Sequence, residues 1–210
     1  MDGDAEVSRP APTVCVYCAS SPDIDAELLD LAHELGRRLA RSRMKLVYGA
    51  GSTGCMGRLA DGALSGGGEV LGVIPRFMME REWNHPHIGE TITTETMQER
   101  KLRMLGSADV VVCLPGGTGT LEEIAECLSL KRLGLHAKPI AFVNWRGFFD
   151  PLVEQIERFH TGGFLGDGFR GMFTVCDSLD ALFTFIDRPT EWINPLYPGP
   201  TPGGSQDDIR

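Results

Sequence analysis

The chain has 210 residues, of which 42% are hydrophobic and 23% are charged, and its formal net charge is −9. This size and composition fit one globular domain with a full core. Because affinity for a nucleic-acid backbone needs clustered Lys and Arg, the acidic balance predicts that nucleic acid is not a partner. No run approaches the roughly 20 apolar residues of a membrane span, so no membrane partner is expected.

The two ends of the chain differ in composition from the middle. Residues 1–12 lack the basic start and apolar middle of a signal peptide, which predicts a flexible leader and a cytoplasmic protein. Residues 13–187 carry the periodic segments of the domain. Residues 188–210 contain five of the 13 prolines and are predicted to form an extended or disordered tail.

Short apolar strands alternate with amphipathic helices along the domain. Strands are predicted over residues 13–17, 45–48, 69–74, 110–112, 139–143 and 173–175. Helices are predicted over residues 25–42, 56–65, 96–107, 150–159 and 178–186 and after residue 120. Residues 77–95 show little periodicity and are predicted to be a long irregular connection. The order predicts an α/β fold, a Rossmann-like doubly wound parallel sheet with helices on both faces.

The most informative stretch, residues 110–123, reads VVVCLPGGTGTLEE. A buried strand leads into a turn with three glycines, Gly116, Gly117 and Gly119. Thr120 is a predicted N-cap for the next helix, and a glycine turn before a helix N terminus forms an anion cradle, most often for phosphate. Glu122 and Glu123 are then predicted in the first helical turn. There they either stabilise the helix dipole or act on the sugar that the phosphate carries.

A second signal precedes this stretch. Thr96 and Glu99 have the form of a capping box, in which Glu99 reaches back to the Thr96 backbone. Arg100 and Lys101 follow in the first turns of the helix, where two cations oppose the dipole. Surface charge in solvent would explain them, but positions that break a local rule are expected at functional sites.

A second glycine-rich loop follows the strand at residues 45–48. Residues 49–54 read GAGSTG, which matches the G-x-G-x-x-G fingerprint of dinucleotide binding. The acidic residue expected after the next strand is missing, and Pro75 and Arg76 stand there instead. This disfavours a dehydrogenase, although a basic residue would suit a 2′-phosphate.

Ligands of open parallel sheets bind beyond the carboxyl ends of the strands. Ser20 and Ser21, residues 49–54 and residues 116–120 all follow predicted strands. They are therefore expected to converge on one crevice, and Ser20, Gly49 and Gly51 are counted among the substrate-binding residues.

Cysteine and histidine do not predict a metal site. Cys15 and Cys18 have C-x-x-C spacing, but residues three apart on a strand face opposite sides, and no second pair completes a zinc site. The six cysteines are predicted to be buried free thiols. His85 and His87 are interpreted as exposed loop residues, because no third ligand accompanies them.

Two motifs in fixed order carry a family resemblance. Met97-x-x-Arg100-Lys101, followed by PGGTGTLEE at residues 115–123, resembles the paired signature of the LONELY GUY (LOG) family. These are cytokinin riboside 5′-monophosphate phosphoribohydrolases, once described as lysine decarboxylases. The resemblance extends over residues 14–186. It includes short motifs at residues 18–21 (C-x-S-S), 48–57 (Y-G-x-G-x-x-G-x-M-G), 73–75 (V-I-P), 81–82 (R-E) and 138–139 (K-P).

The resemblance implies a homo-oligomer, most often a dimer, and a reaction without a metal or redox cofactor. That reaction hydrolyses the N-glycosidic bond of an N6-modified adenosine 5′-monophosphate, giving free base and ribose 5-phosphate. The binding positions that it implies, with the adjoining Gly116, are Glu82, Arg100, Lys101, Gly117, Thr118, Gly119, Thr120, Leu121, Glu122, Glu123 and Ser129. Ala19 and Ala50 replace glycines common in the family, and Ser129 replaces a threonine but keeps the hydroxyl.

Arg100 and Glu123 are the predicted catalytic residues. Glycosidic cleavage builds positive charge on the ribose and negative charge on the departing base, so a carboxylate and a cation suit the transition state. Glu123 is expected to stabilise the oxocarbenium-like ring and to orient or deprotonate water. Arg100 is expected to act electrostatically on the purine or to fix the ribose and phosphate, because arginine stays charged.

Other functions remain open at this point. A nucleotide- or cofactor-binding carrier of the same fold explains the glycine loops but not Arg100 and Glu123 together. A pyridoxal-phosphate decarboxylase needs a Schiff-base lysine in a recognisable setting, and none is evident. Met78, Met79 and Met97 either line an adaptable pocket for a prenyl group or belong to the core.

Overall fold

The computed structural model describes residues 11–81 and 83–196. Seven strands form one parallel sheet in the order β4-β3-β2-β1-β5-β6-β7. This confirms the predicted Rossmann-like architecture. The strands are β1 Thr13–Tyr17, β2 Lys45–Tyr48, β3 Val70–Pro75, β4 Glu90–Thr94, β5 Val110–Cys113, β6 Ile140–Val143 and β7 Thr174–Cys176.

Helices connect the strands, and local capping chemistry sets where several of them begin. Asp25 accepts a hydrogen bond from the Glu27 backbone N–H at 2.8 Å, and Ser178 accepts one from Ala181 at 3.1 Å. The helices are α1 Ala26–Arg41, α2 Gly54–Ser65, α3 Arg76–Met79, α4 Met97–Gly106, α5 Thr118–Arg132, α6 Asp150–Thr161 and α7 Leu179–Asp187.

The sheet is buried on both faces, which explains why its central strands read as unbroken apolar runs. Cys15 belongs to the core on one face and Cys18 to the core on the other, as the spacing predicted. All six cysteines are buried free thiols. None of the helices in the described ranges is long and apolar enough to cross a membrane.

The predicted irregular connection over residues 77–95 is wrong in two places. It contains most of the short helix α3, and its last part is β4, an edge strand that pairs with β3. The sequence of β4, ETITT, is mostly exposed, so it lacks the apolar pattern of the inner strands. Edge strands carry such polar side chains because one side of the strand has no partner.

The chain reverses direction across the sheet between β1 and β5. From β1 it runs outward through β2, β3 and β4, and it then returns to β5 on the other side of β1. Loops that leave the carboxyl ends of β1 and β5 therefore diverge and leave a crevice between them, the usual ligand site of this architecture.

The C-terminal segment is described as far as residue 196 and forms neither helix nor strand over residues 188–196. Within it, Trp192 donates its indole N–H to the Gly168 carbonyl at 2.7 Å, and Asn194 donates to the Arg132 carbonyl at 3.0 Å. The predictions for residues 1–10 and 197–210 lie outside the described residues.

Candidate active site

A cavity of about 700 Å³ opens at the carboxyl ends of β1, β2, β3 and β5. The three loops expected to converge do line it together. Predicted site residues in its lining are Ser20, Gly49, Gly51, Arg100, Gly117, Thr118, Gly119, Thr120, Glu122 and Glu123. Further lining residues are Cys18, Ala19, Ser21, Ser52, Thr53, Met56, Ile74, Met78, Trp83 and Met97.

The glycine turn after β5 is open toward the cavity. A Cβ built on Gly117 or Gly119 would meet no protein atom within 4 Å, so the protein itself does not require glycine there. Gly116 differs, because a Cβ would collide with the Thr120 side chain. Gly117 caps α5, and the unpaired N–H groups and positive dipole end of this helix face the same open space. This geometry suits a phosphate group.

The predicted position of the helix start was three residues too late. Thr120 is not the N-cap, because α5 begins at Thr118, and the Thr120 side chain is buried inside the first turn. Glu122 and Glu123 consequently lie in the second turn, and no acidic residue occupies the first. Dipole stabilisation falls off beyond the first turn, so it does not account for these two carboxylates.

In the glycine loop after β2, protein atoms occupy the space beside the glycines. A Cβ on Gly49 would collide with the Arg100 guanidinium, and one on Gly54 would collide with the backbone of Ser20 and Ser21. Ala50 has a positive φ of 58°, a conformation that normally favours glycine.

Arg100 is held at the cavity wall by two backbone carbonyls. Its Nε donates to the Val73 carbonyl at 3.0 Å and one terminal nitrogen donates to the Gly49 carbonyl at 2.7 Å. The residue is 4% exposed, so solvated surface charge, the alternative explanation of its position, does not account for it. Burial lowers the pKa of Arg100, and the charge of Glu123 opposes that change.

Glu123 is the buried carboxylate of the cavity. It is 5% exposed, and burial raises its pKa from 4.5 to about 7, while the positive charge of Arg100 acts in the opposite direction. In the described part of the chain no direct ion pair joins Arg100 to Glu123. The two opposite charges therefore face the same cavity without neutralising each other by contact.

Lys101 binds the helix that carries Glu123 and does not line the cavity. Its ammonium group pairs with Glu122 and, at 3.1 Å, with Glu126, both on α5. Since Lys101 and Arg100 are neighbours on α4, these pairs hold α4 against α5 and fix the relative position of the two predicted catalytic residues. The capping box of α4 forms with one change, because Glu99 accepts from the Glu95 N–H at 2.9 Å instead of the Thr96 N–H.

The remaining predicted site residues lie elsewhere. Leu121 and Ser129 line an apolar groove on the outer face of α5, and the Ser129 hydroxyl donates to the Ala125 carbonyl at 2.7 Å. Gly116 lies behind the open turn, and Glu82 falls outside the described residues.

The prediction that His85 is exposed is wrong. His85 is 5% exposed, its Nε2 lies 3.1 Å from the Asp61 carboxylate, and its Nδ1 accepts from the His87 N–H at 3.2 Å. Its burial depends on packing against α2, a contact that the local sequence does not reveal. Among the described residues no group of three or more His, Cys, Asp and Glu side chains is arranged to hold a metal ion.

Sequence reasoning missed part of the apolar wall of the cavity. Met78 and Met97 line the cavity, whereas Met79 does not line it and is 37% exposed. Trp83, Met56 and Ile74 also line the cavity and were not identified from the sequence. For Trp83 a signal existed, since a tryptophan next to Asn84 in a polar connection is unusual for a surface loop.

The chain's lysines are Lys45, Lys101, Lys131 and Lys138, and none of them lines the cavity. Burial lowers the pKa of Lys131 to about 8, but its ammonium donates to the carbonyls of Lys138 and Met172, at 2.9 and 2.8 Å. A Schiff-base lysine in this cavity is therefore not supplied by this chain.

Comparison with known proteins gives a consistent result. A family model described as "Possible lysine decarboxylase" matches residues 56–186. The probable cytokinin riboside 5′-monophosphate phosphoribohydrolase LOGL9 of Oryza sativa subsp. japonica is 40% identical over 182 residues, which cover 87% of this chain and 80% of that protein. The cytokinin riboside 5′-monophosphate phosphoribohydrolase of Rhodococcoides fascians is 38% identical over 184 residues, covering 87% and 93%.

Solved structures share the fold. The structural-genomics protein TM1055 superposes with a TM-score of 0.65 and 27% identity, covering 84% of this chain and 98% of that one. The molybdenum cofactor carrier protein of Chlamydomonas reinhardtii superposes with a TM-score of 0.66 over 85% and 97% of the two chains, and at 22% identity this likeness concerns the fold alone. The matched model and the relatives together show that the chain belongs to the LONELY GUY (LOG) family.

Proposed function

We propose that this protein is a phosphoribohydrolase that cleaves the N-glycosidic bond of N6-modified adenosine 5′-monophosphates, the cytokinin riboside monophosphates. The products are the free base and ribose 5-phosphate. One observation carries the proposal: a buried carboxylate, Glu123, and a buried cation, Arg100, face one cavity beside a glycine turn that the protein leaves open. The names of the relatives point to the same reaction.

The cavity has the length and polarity of a mononucleotide site. Adjacent strands lie about 4.8 Å apart, so the carboxyl ends of β5 and β3, three strands apart, are separated by about 14 Å. The β5 end offers backbone N–H groups at Gly117, Thr118 and Gly119 for the 5′-phosphate, and the β3 end offers an apolar wall that includes Ile74 and Met78. A nucleotide bound this way places its ribose near the middle of the cavity.

Glu123 acts on the ribose. As the bond to the base breaks, positive charge develops on the ring, and an ionised carboxylate in a poorly solvated cavity stabilises that charge more than it would in water. The same carboxylate orients the attacking water and takes its proton. A pKa near 7 keeps a substantial ionised fraction at neutral pH while leaving enough basicity to accept a proton.

Arg100 acts on the departing purine. The two carbonyls that hold its guanidinium leave one terminal nitrogen directed to the side of Met97, whose sulfur lies 3.9 Å away. A charge fixed in this way needs no reorganisation when the purine becomes negative. Arginine does not release its proton at neutral pH, so its contribution is electrostatic.

The other binding residues are proposed with different roles. Lys101 positions α4 against α5 through Glu122, and Gly116 allows the tight turn before Thr120. Glu82, Leu121 and Ser129 are carried over from the family resemblance; Leu121 and Ser129 do not line the cavity, and Glu82 lies outside the described residues.

We further infer a homodimer in the cytoplasm. Leu121, Leu133 and Phe159 are between 41% and 56% exposed, and they line the apolar groove along α5 and α6, whose volume is about 350 Å³. A second copy would cover this surface, which is costly to leave in water. Six buried free thiols suit a reducing compartment. Light scattering after size-exclusion chromatography tests the dimer.

The reaction is tested by incubating the purified protein with N6-isopentenyladenosine monophosphate, the matching riboside and AMP, and by resolving the products chromatographically. We expect free base from the prenylated monophosphate and none, or far less, from the riboside. Glu123→Gln is the control and should abolish release. Intact substrate in every reaction, with nucleotide binding still measurable, would leave a non-catalytic carrier and overturn the proposal.

A further inference from the structure

Trp83 stands at the mouth of the cavity on a backbone that is fixed to the first glycine loop. Its carbonyl accepts hydrogen bonds from the Ser52 N–H at 3.2 Å and from the Ser52 hydroxyl at 3.4 Å. Its own N–H donates to the Met78 carbonyl at 3.3 Å. The next residue, Asn84, forms an isolated antiparallel bridge with Gly51. The position of the Trp83 backbone is therefore set from both sides.

The anchoring extends beyond Trp83. The His85 N–H donates to the Ala50 carbonyl at 2.8 Å, and the buried His85 ring reaches the Asp61 carboxylate on α2. A buried side chain with a polar partner on a neighbouring helix holds this segment more firmly than loop hydrogen bonds alone. The segment that presents Trp83 is thus docked onto the loop that frames the cavity.

The Trp83 side chain is not buried in the core of the protein. It is 47% exposed, although it lines the cavity, and the Arg81 guanidinium carbon lies 5.3 Å from its ring centroid. An aromatic ring of this size costs free energy when it is left in water, and a guanidinium over it leaves ring surface available for another flat group. A fixed backbone with an unburied aromatic side chain is the arrangement expected for ligand contact.

The neighbours of the indole identify the part of the ligand it meets. Ile74 and Met78 line the cavity with it at the β3 end, three strands from the open glycine turn after β5, and Met56 and Met97 add to the apolar lining. With the phosphate at that turn, the base of a nucleotide, followed by its N6 group, extends to the apolar end. Bases stack on aromatic side chains regardless of sequence, because every base has a π face.

We propose that Trp83 is a substrate-binding residue whose indole stacks on the purine ring of the bound nucleotide. The proposal rests on the proposed function for the orientation of the ligand. It assigns to Trp83 a binding role that contributes to substrate affinity and not to bond cleavage. Replacing the indole by a methyl group should therefore raise KM and leave kcat within about threefold, whereas phenylalanine should preserve most of the affinity.

The test measures AMP binding to the full-length protein carrying Glu123→Gln, so that no hydrolysis interferes. Adding Trp83→Ala should raise the Kd for AMP about 10- to 100-fold, in keeping with the loss of one stacking contact. Stacking should also make AMP quench the fluorescence of Trp83, and adding Trp83→Phe should keep the Kd within a few fold and remove that quenching. The matched control is Phe77→Ala, since Phe77 is 44% exposed on the adjacent helix and does not line the cavity.

The outcomes separate this proposal from the proposed function. Unchanged AMP affinity in Trp83→Ala, in a protein whose wild type hydrolyses the substrate, would overturn the stacking role alone. Weakened binding of N6-isopentenyl-AMP with unaltered binding of AMP would also overturn it, because the indole would then contact the N6 group. Tight AMP binding that needs Trp83, without hydrolysis by the wild type, would support stacking and overturn the hydrolase. Absence of AMP binding to a wild type that also leaves the prenylated monophosphate intact would overturn both.

Discussion

The two glycine-rich loops of this protein look alike in sequence and serve opposite purposes. In the loop after β2, Gly49 and Gly54 are glycines because the Arg100 guanidinium and the backbone of residues 20–21 occupy the space of a side chain. In the loop after β5, Gly117 and Gly119 have only open space beside them. The glycines of the first loop accommodate protein atoms, whereas those of the second loop leave space in which a ligand can bind.

This difference changes how the motifs are interpreted. The loop after β2 has the better match to a dinucleotide fingerprint, yet the cation Arg100 lies against it. A pyrophosphate would have to compete with that packing for the close backbone approach that the fingerprint glycines provide. The loop after β5 leads into α5 and retains its unpaired N–H groups, so it is the better anion site. The structure therefore favours a mononucleotide with one phosphate.

Gly49→Ala is expected to have the largest effect. The new methyl group collides with the Arg100 guanidinium, which must leave its hydrogen bond to the residue 49 carbonyl. We expect kcat/KM for the prenylated monophosphate to fall by about 100-fold or more, because a preorganised charge is lost. Gly89→Ala is the control, because Gly89 lies outside the cavity lining, has no positive φ, and a Cβ there would meet no protein atom within 4 Å. Activity of Gly49→Ala close to that of the wild type would contradict the role of this loop as the support of Arg100.

The burial of Glu123 in the helix after the second loop should lower the unfolding free energy at neutral pH. Unfolded glutamate loses its proton near pH 4.5 and folded Glu123 loses it near pH 7, so between these values the unfolded state binds fewer protons and stability falls as pH rises. Relative to Glu123→Gln, the wild type should lose about 3 kcal/mol of unfolding free energy between pH 4.5 and 7. Denaturant titrations of both proteins across this range measure the difference. A constant difference would show that the carboxylate is not buried as described.

Substitutions of Gly117 and Gly119 should affect substrate binding and protein stability differently. Gly119→Ala places a better helix former in the first turn of α5 and should raise the unfolding free energy by up to about 1 kcal/mol. The same methyl group enters the space of the phosphate, so KM for the monophosphate should rise about tenfold or more. Gly117→Ala should weaken binding similarly without a stability gain. Thermal denaturation and steady-state kinetics test both, and a loss of stability in Gly119→Ala would mean that the turn is closed by protein.

The smallest expected effect is at Ala50, which has a left-handed backbone in the filled loop. Replacing it by glycine removes about 1–2 kcal/mol of strain, and the greater freedom of unfolded glycine offsets part of this. We expect Ala50→Gly to stabilise the protein by less than about 1 kcal/mol and to leave KM within a few fold. Arg43→Gly, also at a positive φ of 57° but exposed, is the matched control. A decrease in stability at position 50 alone would show that the methyl contact with Gly72 outweighs the strain.

Periodicity was sufficient to predict most of the fold. The inner strands are buried on both faces, so their apolar runs stand out, and the helices carry caps such as Asp25 and Ser178 that mark their starts. The edge strand β4 could not be recognised in the same way, because its side chains are mostly exposed and its identity depends on pairing with β3.

The site was predictable where the chemistry is local and not where it depends on distant contacts. The open glycine turn before α5 follows from the order strand, glycine turn and helix, which adjacent residues encode. The position of Arg100 at a helix start set it apart from ordinary surface charge, but its two carbonyl partners are 27 and 51 residues away in the chain. The burial of His85 and the position of Trp83 at the cavity likewise arise from docking onto α2 and the first glycine loop.

The most direct test of the difference between the loops is the ratio of kcat/KM for N6-isopentenyladenosine monophosphate to that for its riboside, measured in the wild type, Gly49→Ala and Gly119→Ala. We expect a large ratio in the wild type and a ratio reduced by about tenfold or more in Gly119→Ala, where the phosphate loses its place. Gly49→Ala should lower both rates and keep the ratio. A ratio that is unchanged in Gly119→Ala but strongly reduced in Gly49→Ala would place the phosphate at the loop after β2. That result would contradict the assignment of the phosphate to the loop after β5.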